Sequence, residues 1–139
     1  MTSPGRLRIS RREGFNAAHQ LRDPTLGEDE NHRLYGKCVN LHGHNYVLEV
    51  VVSGAIDQAT GYVMDLKRLS DLMRAEIIQH VDHRNLNTDV DWLSGRIPTA
   101  ETLALAFWAR LQPHLPKGSL RRVRVHETDK NWAECSDDD

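Results

Sequence analysis

Apolar and polar positions alternate over residues 6–19 (RLRISRREGFNAAH), the period of a half-buried strand, and this places Phe15, Ala17 and His19 on one face. Gly14, in the middle, reads as a bulge or kink. The alternation stops over residues 20–41, which are polar, rich in acids and interrupted by Pro24, Gly27 and Gly36. This predicts a loop with room for a short helical piece, and a connection that long in a small domain usually has a function. Residues 42–53 (HGHNYVLEVVVS) return to period two, with His42, His44, Tyr46, Leu48, Val50 and Val52 on a common face. Asp57 to Gly61 predicts a turn. From Asp65 the spacing changes to threes and fours. Leu66, Leu69, Leu72, Met73, Ile77 and Val81 predict a helix capped by Asp65. After a loop over 82–98, Thr99 is placed to cap a second helix, whose stripe is Leu103, Ala106, Phe107 and Leu111 and whose first turn carries Glu101. Residues 119–127 predict a third strand with Val123, Val125 and Glu127 on one face. Residues 129–131 turn the chain into a last short strand, Trp132 to Cys135.

The order strand, strand, helix, helix, strand, strand predicts an α+β fold: a four-stranded antiparallel sheet with two helices on one face, in one domain over 1–139 with frayed ends at 1–5 and 136–139. An open sheet has two edges, and edges are commonly protected by association, so a homo-oligomer is expected. Composition narrows the function. The chain has 139 residues, 39% hydrophobic and 27% charged, with net charge −2, which argues against a general nucleic-acid binder. The basic stretches RLRISRR and LRRVR read as solvated strand faces. No apolar run reaches membrane-spanning length and the first residues lack the apolar core of a secretory signal, so a cytoplasmic location is expected. Two cysteines, Cys38 and Cys135, make no disulfide framework.

The chemistry concentrates at one end of the first two strands. His42 and His44 are two apart on a strand, so their imidazoles project from one face. If the first strands pair antiparallel, His19 at the end of one lies beside the start of the other, and three imidazoles converge. Three His ligands leave a tetrahedral position open, the arrangement of catalytic zinc. Gly43 between the pair leaves room on the opposite face. Cys38, four residues before His42, would lie close to such an ion, which favours a thiolate. Asp82 and His83 follow the first helix, and an imidazole held by a carboxylate could tune a thiol. By spacing alone, Cys38 reads equally as a small buried residue, and Asp82 with His83 as a cap or surface pair. Glu127 reads either as a solvated strand-end carboxylate or as a bidentate acceptor for a guanidine-like ring edge.

FNAAH (15–19), LYGKCVNLHGHNY (34–46), GAIDQATGYVMDL (54–66), VDHRNLN (81–87), PTAE (98–101) and HETD (126–129) together resemble the 6-pyruvoyltetrahydropterin synthase family and its relative, 6-carboxytetrahydropterin synthase of the queuosine pathway. The resemblance spans residues 8 to 134. It implies zinc on His19, His42 and His44, a catalytic group of Cys38, Asp82 and His83, a pterin-anchoring Glu127, and Thr99 and Glu101 lining the pterin pocket. It also implies the tunnelling fold, in which sheets of neighbouring subunits join into a barrel, as a hexamer of two trimers with sites at subunit interfaces. The implied substrate is 7,8-dihydroneopterin triphosphate, and Lys37 is a candidate triphosphate contact. Two readings of the product stand open. Three residues separate Cys38 from His42, as in the 6-carboxy enzymes, whereas the long 23–38 loop and the NY and DHRNLN wording resemble the pyruvoyl branch. NWAEC departs from the family's usual ending. A third reading, a zinc-stabilised binding module without turnover, requires a fully closed metal shell.

Overall fold

The computed structural model describes residues 7–137. The expected frayed ends 1–5 and 138–139 lie outside these residues, while Ser136 belongs to the last strand. Strand β1 (Leu7–His19) and strand β2 (His42–Gly54) form a long antiparallel pair, followed in the sheet by β4 (Leu120–His126) and β5 (Trp132–Ser136). A further strand, β3 (Arg84–Asn85), lies parallel to β1 and makes the order β3-β1-β2-β4-β5. The expected four-stranded antiparallel sheet is thus corrected to a five-stranded mixed one. Two residues carry no readable period, so β3 exists through its pairing with β1, not through its own sequence pattern.

The alternation of β1 and β2 is realised as expected. Phe15 and Ala17 are buried, as are Tyr46, Leu48, Val50 and Val52 across the ladder, with Val123 and Val125 beyond them on β4. Gly14 makes no bulge: it pairs in register with Val47. The irregularity falls instead between β2 and β4, where Val51 pairs with Arg122 and Val52 with Leu120, leaving Arg121 as the extra residue.

Helices cover the apolar face. The predicted 66–81 helix forms as α2 (Leu66–Met73), a π-turn (Arg74–Ile78) and α3 (Gln79–Val81). Asp65 caps it, accepting from Lys67 N–H at 2.9 Å. The second predicted helix is α4 (Ala100–Leu111), capped by Thr99, which accepts from Thr102 N–H at 3.1 Å. Leu69, Met73, Ile77 and Val81 meet Leu103, Phe107 and Leu111 over the sheet in one core. Helix α2 packs on β1, and α4 on β4 and β5. The other sheet face carries an ionic lattice: Arg12 to Glu49 at 3.1 Å, and Arg124 to Glu134 at 2.6 Å.

The 20–41 connection is built, not slack. It contains α1 (Glu28–Tyr35) and a 3-10 turn (Gly36–Val39). Asn31, buried in its centre, accepts from Asp23 N–H at 2.7 Å and donates to the carbonyls of Asp23, Leu26 and Gly27 at 3.0–3.2 Å.

Candidate metal centre

The β1–β2 register puts His19 directly opposite His42, and Ala17 opposite His44. Paired residues share a face, so all three imidazoles rise from the same end of the sheet. Their ring centroids lie 4.6–5.1 Å apart. One ligand atom from each falls within 4.8 Å of the other two, and no other such group of three occurs among the described residues. Gly43 serves the close approach of the strands: a Cβ there would stand 3.2 Å from the Ala17 carbonyl oxygen.

Backbone carbonyls fix which nitrogen faces inward. His19 Nδ1 is 2.8 Å from the Pro98 carbonyl and His42 Nδ1 is 2.7 Å from the Asn40 carbonyl. A carbonyl only accepts, so each Nδ1 carries the proton and each Nε2 presents a lone pair. His44 Nε2 is buried with no hydrogen-bond partner. Burial holds the pKa values of His19 and His44 below the ordinary imidazole value, which favours the neutral, ligating form at pH 7. Three converging imidazoles, two with carbonyl-held orientation and one with an orphaned nitrogen, fit a divalent transition ion.

Glu127, just past β4, borders the cluster. Its carboxylate oxygens lie 3.9 Å from His19 Nε2 and 3.8 Å from His44 Nε2. Beneath the rings Tyr46 is buried, stacked on Phe15 at 4.7 Å, with its hydroxyl 3.3 Å from His19 Nδ1 and 3.5 Å from Nε2. Burial, and to a lesser degree the Glu127 charge, push its phenol well above the usual range.

The remaining expected site residues are dispersed. Cys38 is exposed on the 3-10 turn, where its carbonyl accepts from Leu21 N–H at 2.7 Å. Asp82 and His83 form a pair at 3.1 Å on the β3 side of β1, with Asp82 accepting from Asn16 N–H at 2.9 Å. That N–H holds the Asp82 carboxyl below its ordinary pKa. Among the described residues, no hydrogen bond or ion pair joins Cys38 to Asp82 or His83. Thr99 follows the carbonyl that orients His19, so the start of α4 is tied to the cluster. Glu101 is exposed on the first turn of α4 and faces a shallow depression shared with β5 residues Ala133 to Ser136. Sequence reasoning missed Tyr46, Pro98, Asn40 and Asn31. Two of these act through main-chain carbonyls, which leave no sequence signal. Tyr46 was readable only as a core position.

Fold and cluster together define a class: an α+β protein with a three-histidine site capable of holding a metal ion at one end of its sheet. The chain belongs to the family described as 6-pyruvoyl tetrahydropterin synthase, whose model matches residues 8–138. The human 6-pyruvoyl tetrahydrobiopterin synthase is 46% identical over 125 residues, covering 88% of this chain and 86% of that one. A putative 6-carboxy-5,6,7,8-tetrahydropterin synthase of Archaeoglobus fulgidus is 35% identical over 86% of this chain and 87% of its own length. The structure of Caenorhabditis elegans 6-pyruvoyl tetrahydropterin synthase superposes with a TM-score of 0.89 at 33% identity, covering 99% of this chain and 100% of that one.

Proposed function

We propose that the chain is a zinc-dependent lyase that converts 7,8-dihydroneopterin triphosphate to 6-pyruvoyl-5,6,7,8-tetrahydropterin with loss of triphosphate. The observation that carries this reading is the convergence of His19, His42 and His44, with the Nδ1 atoms of His19 and His42 committed to backbone carbonyls. The 46% identity to the human protein of that name supports the substrate class. Zinc, when bound to the three histidines, supplies Lewis acidity toward the hydroxyls of the substrate side chain. The protein's own groups do the rest. Cys38 takes and returns protons at the side-chain carbons, tuned by Asp82 and His83. Glu127 accepts the N–H edge of the pterin ring, where a carboxylate gives charge-assisted bonds. Thr99 and Glu101 line the ring pocket. Among the described residues no hydrogen bond or ion pair joins Cys38 to Asp82 or His83, and on this reading the catalytic group is completed between subunits of a hexamer, a dimer of trimers. A cytoplasmic location is part of the same proposal.

A second reading, 6-carboxytetrahydropterin formation with release of acetaldehyde, has one specific support. Only Val39, Asn40 and Leu41 separate Cys38 from His42. Incubation of the zinc-loaded protein with 7,8-dihydroneopterin triphosphate, followed by mass spectrometry, is expected to yield the pyruvoyl product. Acetaldehyde with the carboxy product would assign the second reading, and no triphosphate release would reject both.

A further inference from the structure

The segment that follows helix α3 is laced to the outer edge of β1 at every second residue. Asn16 donates its N–H to Asp82 Oδ1 at 2.9 Å and accepts from His83 N–H at 2.5 Å. Ala18 accepts from Leu86 N–H at 2.8 Å. At Gln20 a side chain takes the place of the main-chain partner. Gln20 N–H donates to Asn87 Oδ1 and Asn87 Nδ2 donates to the Gln20 carbonyl, both at 2.9 Å. These bonds fix which way the Asn87 amide points, since an N–H only donates and a carbonyl only accepts. Gln20 lies between two groups of the site. His19 precedes it, and Leu21 follows it, whose N–H donates to the Cys38 carbonyl at 2.7 Å. On its other side the Cys38 turn is tied to the cluster by the Asn40 carbonyl, 2.7 Å from His42 Nδ1.

We propose that Asn87 is a positioning residue for the Cys38 thiol: by gripping both main-chain groups of Gln20 it keeps Leu21 N–H on the Cys38 carbonyl and so sets the thiol-bearing turn against the three histidines. The inference rests on the proposed role of Cys38 as the proton-transfer group. Asn87 is partly buried and need not touch substrate. Its loss should leave the neighbours of Gln20 in place. His19 keeps the Pro98 carbonyl and its station opposite His42, and Asp82 and His83 keep their bonds to Asn16. What loosens is the peptide at Gln20 and, through Leu21, the turn. A general acid/base works only within hydrogen-bond reach of the proton it moves, so a slack turn slows the chemical step and spares binding.

Asn87→Ala removes both bonds. Asn87→Asp keeps the shape and the acceptor but turns a carboxylate oxygen toward the Gln20 carbonyl, and it serves should the alanine variant not fold. Zinc-loaded, both are expected to keep the parent's zinc stoichiometry by elemental analysis. Their KM should stay within about twofold of the parent while kcat falls roughly 10–100-fold, the scale of a misplaced catalytic group. A double-mutant cycle separates positioning from general loosening. If Asn87 acts through the thiol, adding Asn87→Ala to Cys38→Ala should lower the residual kcat no further. Unchanged kcat in the Asn87 variants, a loss that falls on KM, or full additivity with Cys38→Ala would overturn the inference. Parental turnover in Cys38→Ala would end the proposed role of the thiol and this inference with it, and that variant reports it with Asn87 intact.

Discussion

His19 illustrates how one residue can serve two masters: it is fully buried, yet it must stay unprotonated and aimed. Burial lowers its pKa, as it does that of His44, and the folded state therefore binds fewer protons than the unfolded chain. Folded stability is then complete above the unfolded imidazole value, about 6.5, and declines as pH falls below it. Protons also compete with the ion, so zinc affinity in competition titrations should weaken over the same acid range. His44→Ala should lose zinc by elemental analysis. Cys38→Ala, on an exposed turn, should keep zinc and its thermal midpoint while turnover falls roughly 10²–10⁴-fold, the usual worth of an acid/base group. Loss of metal in Cys38→Ala would instead make the thiol a ligand. Away from the site, Glu13 carries a second acid-sensitive element. Burial works to raise its pKa, but hydrogen bonds from Ser70, Arg74 and Arg11 together outweigh it and the net shift is downward. Its stabilisation is present above the unfolded Glu value and is lost as pH falls through the folded one. Glu13→Gln should cost about 1–3 kcal/mol at pH 7 in urea titrations, and the difference from the parent should shrink in acid.

Element by element, what could be read from the sequence was what periodicity encodes. The long strands declared themselves through Phe15, Ala17, Tyr46, Leu48 and Val50, and the helices through Leu69, Met73, Phe107 and Leu111, all of them buried. The three histidines followed from those strands, because strand ends and a two-residue period suffice to place His19, His42 and His44 together. The π-turn at Arg74–Ile78 was not legible, since one extra residue per turn barely disturbs an apolar stripe. Nor was β3, held in place by tertiary pairing. Gly14 misled, because glycine marks a bulge only where backbone strain requires one, and its pairing with Val47 is regular. The cap of α4 belongs to both stability and site, since the residue before Thr99 orients His19. Thr99→Ala should cost about 1 kcal/mol of stability and also weaken zinc binding. Thr99→Ser should restore both in paired denaturation and competition titrations.

For the whole molecule, one chain presents a three-histidine cluster at the sheet end, a thiol on a turn and an Asp82–His83 pair at the sheet edge, and among the described residues no hydrogen bond or ion pair joins the thiol to that pair. That no bond links Cys38 to the Asp82–His83 pair could not be read from the sequence, because a motif records which residues recur together but not how the fold places them. Trp132, at the start of the edge strand β5, and Leu105, on the α4 side of the sheet, are exposed apolar residues of the kind that association covers. The proposed assembly makes a sharp expectation. Sedimentation should report a species several times the 15.9 kDa chain mass. Refolding Cys38→Ala together with Asp82→Asn should recover activity that neither inactive variant has alone. Absence of recovery in a correctly assembled mixture would confine the catalytic group to one subunit.

The excursion between β1 and β2 departs from His19 and returns at His42, two residues that face each other across the ladder. Up to Asn40, whose carbonyl orients the His42 ring, its length is therefore independent of how the three rings are placed. Residues can be inserted, deleted or exchanged ahead of Asn40, and the three histidines stay where the ladder clamps them. What shifts is the reach of the thiol borne near the end of the excursion. A scaffold organised this way separates a fixed anchor from a rewritable tip, and related chains could acquire different products by editing the tip alone.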